Sequence, residues 1–506
     1  FSWRFHPSPL DTYRFSHTGL QYLFERSGDF ETLFTGYVRH GAIRGFWGNK
    51  KDWTFDGSAF SECWETVLVG RKQVGKNFVK SDLEGDQSTD HGGDLRSTKN
   101  PQQQERLTLA RKLSREIKRI RRKFTGSRNT APSWEPVCLL PNNEDRQVFC
   151  HVASFTGQGS NAGDILLPAV LRDLFVSELG ERKWKSIHAH SPVDKKVIEK
   201  INKCDGLIIG GGGLFLRDTN ANDISGWQWA IPSDLLRQIN VPTCVYAVGY
   251  NRFRGQPDFS DCFRKNLAVL ADMASFVGLR NNGSVNAVRE YLPSSLHDKV
   301  RFQPCMTTFL AKLYKEYFEI PNLNSKTFIA LNCAFDRADL RYRGKDKQIL
   351  REIADGIKEL AHTLDCRIKY FSHYEADNAM LDCLEEADVN YEFVDLSHKS
   401  TLEIMQAYRE PLLAVGMRGH SQMIPFGCQT PILSLISHNK LQWFLDDIGQ
   451  PDWGVDLHGK LIKEKIVSIG NDLTSRRPEV LETIDNEMDR LWEISKKNIA
   501  DYQTKP

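Results

Sequence analysis

The chain has 506 residues, 40% of them hydrophobic and 26% charged, which is enough to bury the cores of about three domains. This composition excludes a mainly disordered chain. The 67 basic and 65 acidic side chains leave a net charge of +2, which argues against a nucleic-acid-binding protein. A membrane-spanning segment needs a run of about 18 apolar residues, and the sequence contains no such run.

The first part of the chain divides into a compact segment and a polar one. Residues 1–72 are rich in aromatic side chains and end in a predicted strand at 65–72. Residues 81–105 contain almost no apolar side chains, which is typical of a linker. We therefore predict a first unit over 1–72 and a linker region over 73–140.

A basic amphipathic helix is predicted over 106–124. Its apolar stripe has spacings of 3, 4, 3 and 4 and consists of Ala110, Leu113, Ile117, Ile120 and Phe124. Ten Lys and Arg against two Glu lie between residues 105 and 128. Such a helix either lies on an anionic membrane surface or connects domains with a solvated charged face. The narrow stripe without Trp favours the second interpretation.

From about residue 141 onward, short apolar runs alternate with amphipathic segments. In 141–310, strands are predicted at 147–155, 206–209, 242–248 and 275–279, and a helix at 164–179. In 311–506, strands are predicted at 327–332, 367–372, 392–395, 412–415 and 431–434, with helices at 347–363, 378–386, 402–408 and 422–426. A closing helix is predicted from about 479. This alternation indicates an α/β fold with two Rossmann-like domains and parallel sheets.

A run of four glycines is the strongest local signal: Gly210, Gly211, Gly212 and Gly213. The run follows a short apolar strand predicted to end at Ile209. Without Cβ atoms, backbone N–H groups can approach a ligand closely. The run matches neither GxGxxG nor the Walker pattern, so it does not specify a nucleotide. We favour close ligand approach over a simple tight turn.

Charged side chains at predicted strand ends are further candidates. Asp164 follows a glycine-rich turn at a helix N-terminus, where it either caps the helix or faces a cleft, and capping is favoured. Arg418 and His420 follow the strand at 412–415 and, two residues apart in extended backbone, should point the same way. Arg280 ends another strand.

The loop after the strand at 327–332 is basic, with Arg337, Arg341 and Arg343. We weigh a functional loop and a solvated charged loop equally. The eleven cysteines contain no CxxC pair. Neither a disulfide framework nor a metal site is therefore expected, and a reducing, cytoplasmic compartment is predicted.

Taken in order, these motifs resemble the polysaccharide pyruvyl transferase family over roughly 146–450. The resemblance rests on six segments: Asn161–Asp164, Gly210–Gly213, Tyr246–Gly249, Arg280, Arg418–His420 and His438–Leu441. It implies a GT-B-like pair of domains that transfers a pyruvyl group from phosphoenolpyruvate to sugar hydroxyls, forming a ketal on a cell-surface polysaccharide or exopolysaccharide. No cofactor is implied. Many members carry a bulkier residue where this chain has Gly419, so the acceptor pocket is expected to differ.

The resemblance also implies roles for the candidate residues. Arg418 and Arg280 would hold the anionic groups of the donor. His420 would be a general acid or base, and Asp164 would orient or deprotonate the sugar hydroxyl. The four glycines, Asn161, His438 and Lys440 would complete the substrate-binding set. The expected partners are phosphoenolpyruvate and a glycan or lipid-linked glycan, with a peripheral contact at the inner face of the membrane left open for 106–124.

Residues 1–71 resemble the C-terminal end of a SAM-dependent methyltransferase. The segments that carry this resemblance are His6–Phe15 and Thr18–Phe24. Because the glycine motif of that family is missing, we expect a remnant that does not methylate. Two alternative functions remain open for the whole chain: a GT-B-type glycosyltransferase that uses a nucleotide sugar, and a non-catalytic glycan or membrane-surface adaptor.

Overall fold

The computed structural model describes residues 30–38, 65–72, 135–140, 147–157, 159–253, 255–319 and 327–503. The chain forms two compact units, Phe1–Gly126 and Ser127–Pro506. In the first unit, β1 (Phe30–Val38) pairs antiparallel with β2 (Glu65–Lys72), which confirms the strand predicted at 65–72. The helix predicted over 106–124 and the segments resembling a methyltransferase lie outside the described residues.

A six-stranded parallel sheet forms the first half of the second unit. Its strands are β3 (Val148–Ala153), β4 (Lys183–His188), β5 (Gly206–Phe215), β6 (Thr243–Tyr250), β7 (Val277–Leu279) and β8 (Val300–Phe302), in the spatial order β4-β3-β5-β6-β7-β8. The α-helices of this half are α1 (Ala162–Leu179), α2 (Lys195–Ile201), α3 (Ser233–Leu236), α4 (Asp261–Met273), α5 (Asn282–Arg289), α6 (Leu310–Leu313) and α7 (Lys315–Glu319). Short 3-10 helices span Ser294–Lys299 and Met306–Phe309.

A second six-stranded parallel sheet forms the other half. Its strands are β9 (Phe328–Asn332), β10 (Arg367–Ser372), β11 (Glu392–Asp395), β12 (Leu413–Gly416), β13 (Ile432–Ile436) and β14 (Gly454–Asp456), in the order β11-β10-β9-β12-β13-β14. Its α-helices are α8 (Ala338–Tyr342), α9 (Asp346–Thr363), α10 (Met380–Glu386), α11 (Thr401–Arg409), α12 (His420–Gly427), α13 (Asn439–Asp447), α14 (Ile462–Ser475) and α15 (Arg477–Gln503). A 3-10 helix spans Glu375–Ala379.

These two sheets confirm the predicted α/β pair with parallel sheets. All residues of β6, β9, β12 and β13 are buried, which is the pattern of parallel strands covered by helices on both faces. The predicted strands all exist within one or two residues of their expected ends, except at β5. The edge strand β4 escaped prediction because all of its residues are exposed or half-buried, and Lys183 and Lys185 interrupt its apolar pattern.

The strand predicted at 206–209 does not end at the glycines, and that prediction is wrong. β5 continues to Phe215, although its pairing with β6 shifts register between Gly212 and Phe215. Gly211 and Gly212 have φ values of 77° and 112°, which side chains other than glycine rarely adopt. The glycines therefore form an irregular strand within the sheet instead of a loop after it.

The closing helix α15 returns from the second sheet to the first. The Tyr502 hydroxyl donates to the carbonyl of Pro242 at 3.0 Å, and Tyr246 bonds to Ser495. Arg301 forms an ion pair with Asp501. These bonds join the two domains into one body. None of the helices in the described residues is both long and apolar enough to cross a bilayer.

Candidate active site

The strand orders mark one ligand-binding edge in each sheet, and contacts such as Phe253–His438 bring these edges together. The second sheet has the Rossmann order, and its neighbouring strands β9 and β12 send their following loops in opposite directions. In the first sheet, the neighbouring strands β3 and β5 likewise send their following loops in opposite directions. Ligands of open α/β sheets bind at such points, beyond the carboxyl ends of the strands. The charged residues predicted for the site follow β3, β7, β12 and β13, either in the loop after the strand or in the first turn of the next helix.

Asn161 and Asp164 lie at the start of α1. The Asn161 side chain caps this helix by accepting the Gly163 N–H at 2.9 Å. The favoured prediction, that Asp164 is the cap, is therefore wrong. The Asp164 carboxylate has no hydrogen-bond or ion-pair partner within the described residues. Burial raises its pKa, and the nearby Arg280 and Arg418 oppose that rise.

Arg418 has its guanidinium bound to two carboxylates of its own domain. Its Nε donates to Asp377 at 2.8 Å, its Nη2 to the other oxygen of Asp377, and its Nη1 lies 2.9 Å from Asp336. Asp377 is completely buried, and it also accepts from Asn332 and the His373 N–H. Arg418 therefore fixes the carboxyl ends of the neighbouring strands to one another.

His420 points away from Arg418, toward the first domain. The intervening Gly419 is helical, with φ −53° and ψ −43°, and His420 begins α12. The prediction that the two side chains point the same way from extended backbone is therefore wrong. The His420 ring lies against Gly163 of α1, and its Nε2 is 3.9 Å from the Cys305 thiol. Burial, and then Arg280 and Lys440, lower the pKa of His420 well below its usual value, so the ring is neutral.

Two cations stand beside His420 without a direct ion pair in the described residues. Neither Arg280 nor Lys440 has a side-chain hydrogen bond or ion pair within the part of the chain that the structure describes. Burial lowers the pKa of both groups. For Lys440, Arg280 and Arg341 depress the pKa further. The guanidinium of Arg280 rests on Gly249, where a Cβ would lie 2.4 Å from its Nη2. Two neighbouring cations that disfavour each other's charge can gain strongly from a bound dianion.

His438 lies near Lys440 and contacts the first domain. Its ring stacks on Phe253 of the first domain, with centroids 4.5 Å apart and planes inclined by 8°. Its Nε2 is buried without a partner in the described residues. Burial, followed by Lys440 and Arg341, lowers the pKa of His438 well below its usual value, so this imidazole is also neutral. A buried nitrogen without a partner is costly in a structural role.

The glycine run supports the site from one side. A Cβ on Gly213 would lie 3.9 Å from Arg280 Nη2, and one on Gly212 would lie 3.9 Å from an Asp164 oxygen. A Cβ on Gly210 would instead strike the Tyr246 carbonyl of the neighbouring strand. Gly212 and Gly213 thus adjoin the charged groups, whereas Gly210 is required by strand packing, and Gly211 faces α1 through Leu167.

The sequence did not single out the residues that hold this site together. Asp336 follows β9 and forms ion pairs with Arg341 and Arg418. Burial alone would raise the pKa of Asp336, but these two cations hold it well below its usual range. Asp377 and Cys305 also escaped notice because each is a lone residue in an ordinary segment. The position of Asp336 after a buried strand was the one available signal. Within the described residues, no group of three His, Cys, Asp or Glu side chains could hold a metal ion.

Fold and site together define a two-domain α/β protein with a cationic site between its sheets. Solved structures with a similar fold include the UDP-GlcNAc 2-epimerase of Neisseria meningitidis bound to UDP-GlcNAc, at 12% identity and a TM-score of 0.44 over 71% of this chain and 100% of that chain. S. aureus MnaA with UDP is 12% identical, with a TM-score of 0.43 over 71% of this chain and 99% of that chain. The UDP-GlcNAc 2-epimerase of Methanocaldococcus jannaschii is 12% identical, with a TM-score of 0.42 over 65% of this chain and 93% of that chain.

No curated protein sequence matches the chain at a significant level. The family described as polysaccharide pyruvyl transferase matches residues 62–439, which is more than half of the chain, and the chain belongs to this family. The match begins earlier than the predicted boundary at about 146 and ends slightly before 450. It therefore overlaps the end of the segment that resembles a methyltransferase, and that second resemblance stays a prediction.

Proposed function

We propose that this protein transfers a pyruvyl group from phosphoenolpyruvate to two hydroxyls of a sugar, forming a ketal and releasing phosphate. The family supports the reaction class. The observation that carries the proposal is the set of three charged side chains, Asp164, Arg280 and Lys440, that lie close together without partners in the described residues. The two cations outnumber the one carboxylate, and a doubly anionic substrate would offset the excess positive charge.

The donor requires two kinds of anion recognition. Its carboxylate is planar and matches the fork of Arg280, whereas its phosphate suits the point charge of Lys440 and the uncapped N-terminus of α13. His438, with its unpartnered Nε2, lies at that same N-terminus. Arg418 is a poorer candidate for the donor than the sequence predicted, because Asp377 and Asp336 already occupy its fork. We assign it to holding the loops in place.

The chemistry needs one proton donor and one proton acceptor. Protonation of C3 of the donor makes C2 electrophilic, and a sugar hydroxyl attacks C2 as its proton leaves. The C2–O bond to phosphate then breaks, and a second hydroxyl closes the ketal as its proton passes to the departing phosphate. The neutral His420 suits the acceptor role. Asp164, with its raised pKa, suits the donation to C3, in place of the deprotonating role that the resemblance implied.

The test is incubation with phosphoenolpyruvate and a panel of candidate glycans, with phosphate release and acceptor mass as readouts. We expect the acceptor to gain the mass of pyruvate less one water. His420→Ala should lose the activity, and His362→Ala, at an exposed histidine of α9, is the matched control. Transfer of a sugar from a nucleotide sugar, with no use of phosphoenolpyruvate, would contradict the proposal and support a glycosyltransferase. Failure to bind either donor would support an adaptor.

A further inference from the structure

The basic loop after β9 crosses from the second domain to the first. Arg337 donates from Nε and Nη2 to the two oxygens of Asp218 at 2.7 and 2.6 Å, and from Nη2 to Thr219 at 3.1 Å. Asp218 follows β5, so this bidentate pair joins the loops that follow the central strands of the two sheets. Arg337 adopts a left-handed backbone with φ 56°, which a non-glycine residue rarely takes. The contact with Asp218 stabilises that conformation.

The same pair is connected to His438 through one aromatic ring. The guanidinium carbons of Arg337 and Arg341 lie 5.5 and 5.2 Å from the centroid of Phe253, and Phe253 stacks on His438. Such cation–ring contacts fix the ring they cover. Phe253 belongs to the first domain and His438 to the second. The orientation of the His438 ring, beside Lys440, therefore depends on the two domains being held together at Asp218.

Two groups of the site are covered in this arrangement. Arg280 is 5% exposed and His438 is 3% exposed, whereas Asp164, His420 and Lys440 are half-buried. A donor that binds between Arg280 and the His438 ring therefore gains access when the two domains move apart. The Asp218–Arg337 pair is partly exposed, with side chains 35% and 24% accessible, and exposed pairs are weak enough to break and re-form.

We propose that Asp218 and Arg337 form an interdomain clasp that opens to admit the donor and, once closed, positions His438 against it. Both are positioning residues for the transfer proposed above, and the inference rests on that function only for the identity of the donor. Donor binding and clasp closure then support each other, because the competent site exists only in the closed state. A variant without the clasp should be more open and should bind the donor more weakly.

The matched variants are Arg337→Ala and Arg343→Ala. Both remove one arginine at a left-handed position beside α8, but Arg343 is exposed and its side chain has no bond within the described residues. The first readout is independent of activity. It is the ¹⁹F NMR signal of Trp443 in protein labelled with fluorotryptophan, and the signal that Trp443→Phe removes is assigned to this residue. The Trp443 indole packs on Gly283 of the first domain, so it reports domain separation.

We expect Arg337→Ala, but not Arg343→Ala, to shift the Trp443 signal and to raise the KM for phosphoenolpyruvate about tenfold, with a smaller change in kcat. The exchanged pair Asp218→Arg with Arg337→Asp should restore both, since Asp tolerates a left-handed backbone better than most residues. An Arg337→Ala protein with the wild-type Trp443 signal and wild-type KM would overturn the clasp. If phosphoenolpyruvate does not bind to any variant while the Trp443 signal shifts as expected, the donor is wrong and the clasp stands.

Discussion

Gly163 gives a direct test of the contact between α1 and His420. A Cβ at this position would lie 2.1 Å from His420 Nδ1 and 2.6 Å from its Cγ, whereas ordinary contacts begin at 3.4 Å. In Gly163→Ala the ring must therefore retreat by roughly 1 Å or more, and a misplacement of about 1 Å lowers a rate on the order of 10²-fold. Replacing a helical glycine with alanine otherwise stabilises a helix by about 1 kcal/mol.

These two effects separate catalysis from stability. We expect transfer from phosphoenolpyruvate to fall by about 10²-fold while the free energy of unfolding, measured in urea, changes by less than about 2 kcal/mol. Gly356→Ala is the control: it lies inside α9, and the nearest neighbours of its Cβ would be Ile466 and Lys463, at 3.3 Å. Wild-type turnover in Gly163→Ala would refute the position assigned to His420. A similar loss of turnover in Gly356→Ala would show that the loss is not specific to the site.

Three further predictions concern stability and membrane contact. Arg418→Lys keeps the charge but cannot satisfy both oxygens of the buried Asp377, so the free energy of unfolding should fall by about 2–3 kcal/mol; an unchanged urea midpoint would contradict this. Burial lowers the pKa of His151 and His373 from 6.5 to about 3, so the unfolded chain binds more protons between these values. Stability should therefore fall steadily from pH 6.5 toward pH 3, and His151→Gln should flatten that decline in urea titrations. If 106–124 binds anionic vesicles, co-sedimentation should weaken steeply with salt, and salt-independent or absent binding favours a connecting helix.

Strand positions were largely determined by local sequence. Runs such as 328–331 and 413–415 are apolar at every residue because helices cover both faces of a parallel sheet, and that pattern is visible without a structure. The placement of Arg280, Arg418 and His420 at strand ends followed from the same pattern. It was correct because the ligand-binding edge of an open α/β sheet is a property of strand direction.

The partners of those side chains were decided only by the tertiary structure. Nothing near Arg418 in the sequence shows that Asp377, 41 residues away, occupies its fork, or that Lys440 and Arg280 form no direct ion pair in the described part of the chain. Local rules also failed at Gly210–Gly213, where pairing with β6 continues the strand through residues that usually end one. The sequence by itself determined which residues reach the interface between the two sheets. Which of them form ion pairs there, and which form none, depends on contacts between distant segments, because burial and counter-charges act through space and not along the chain.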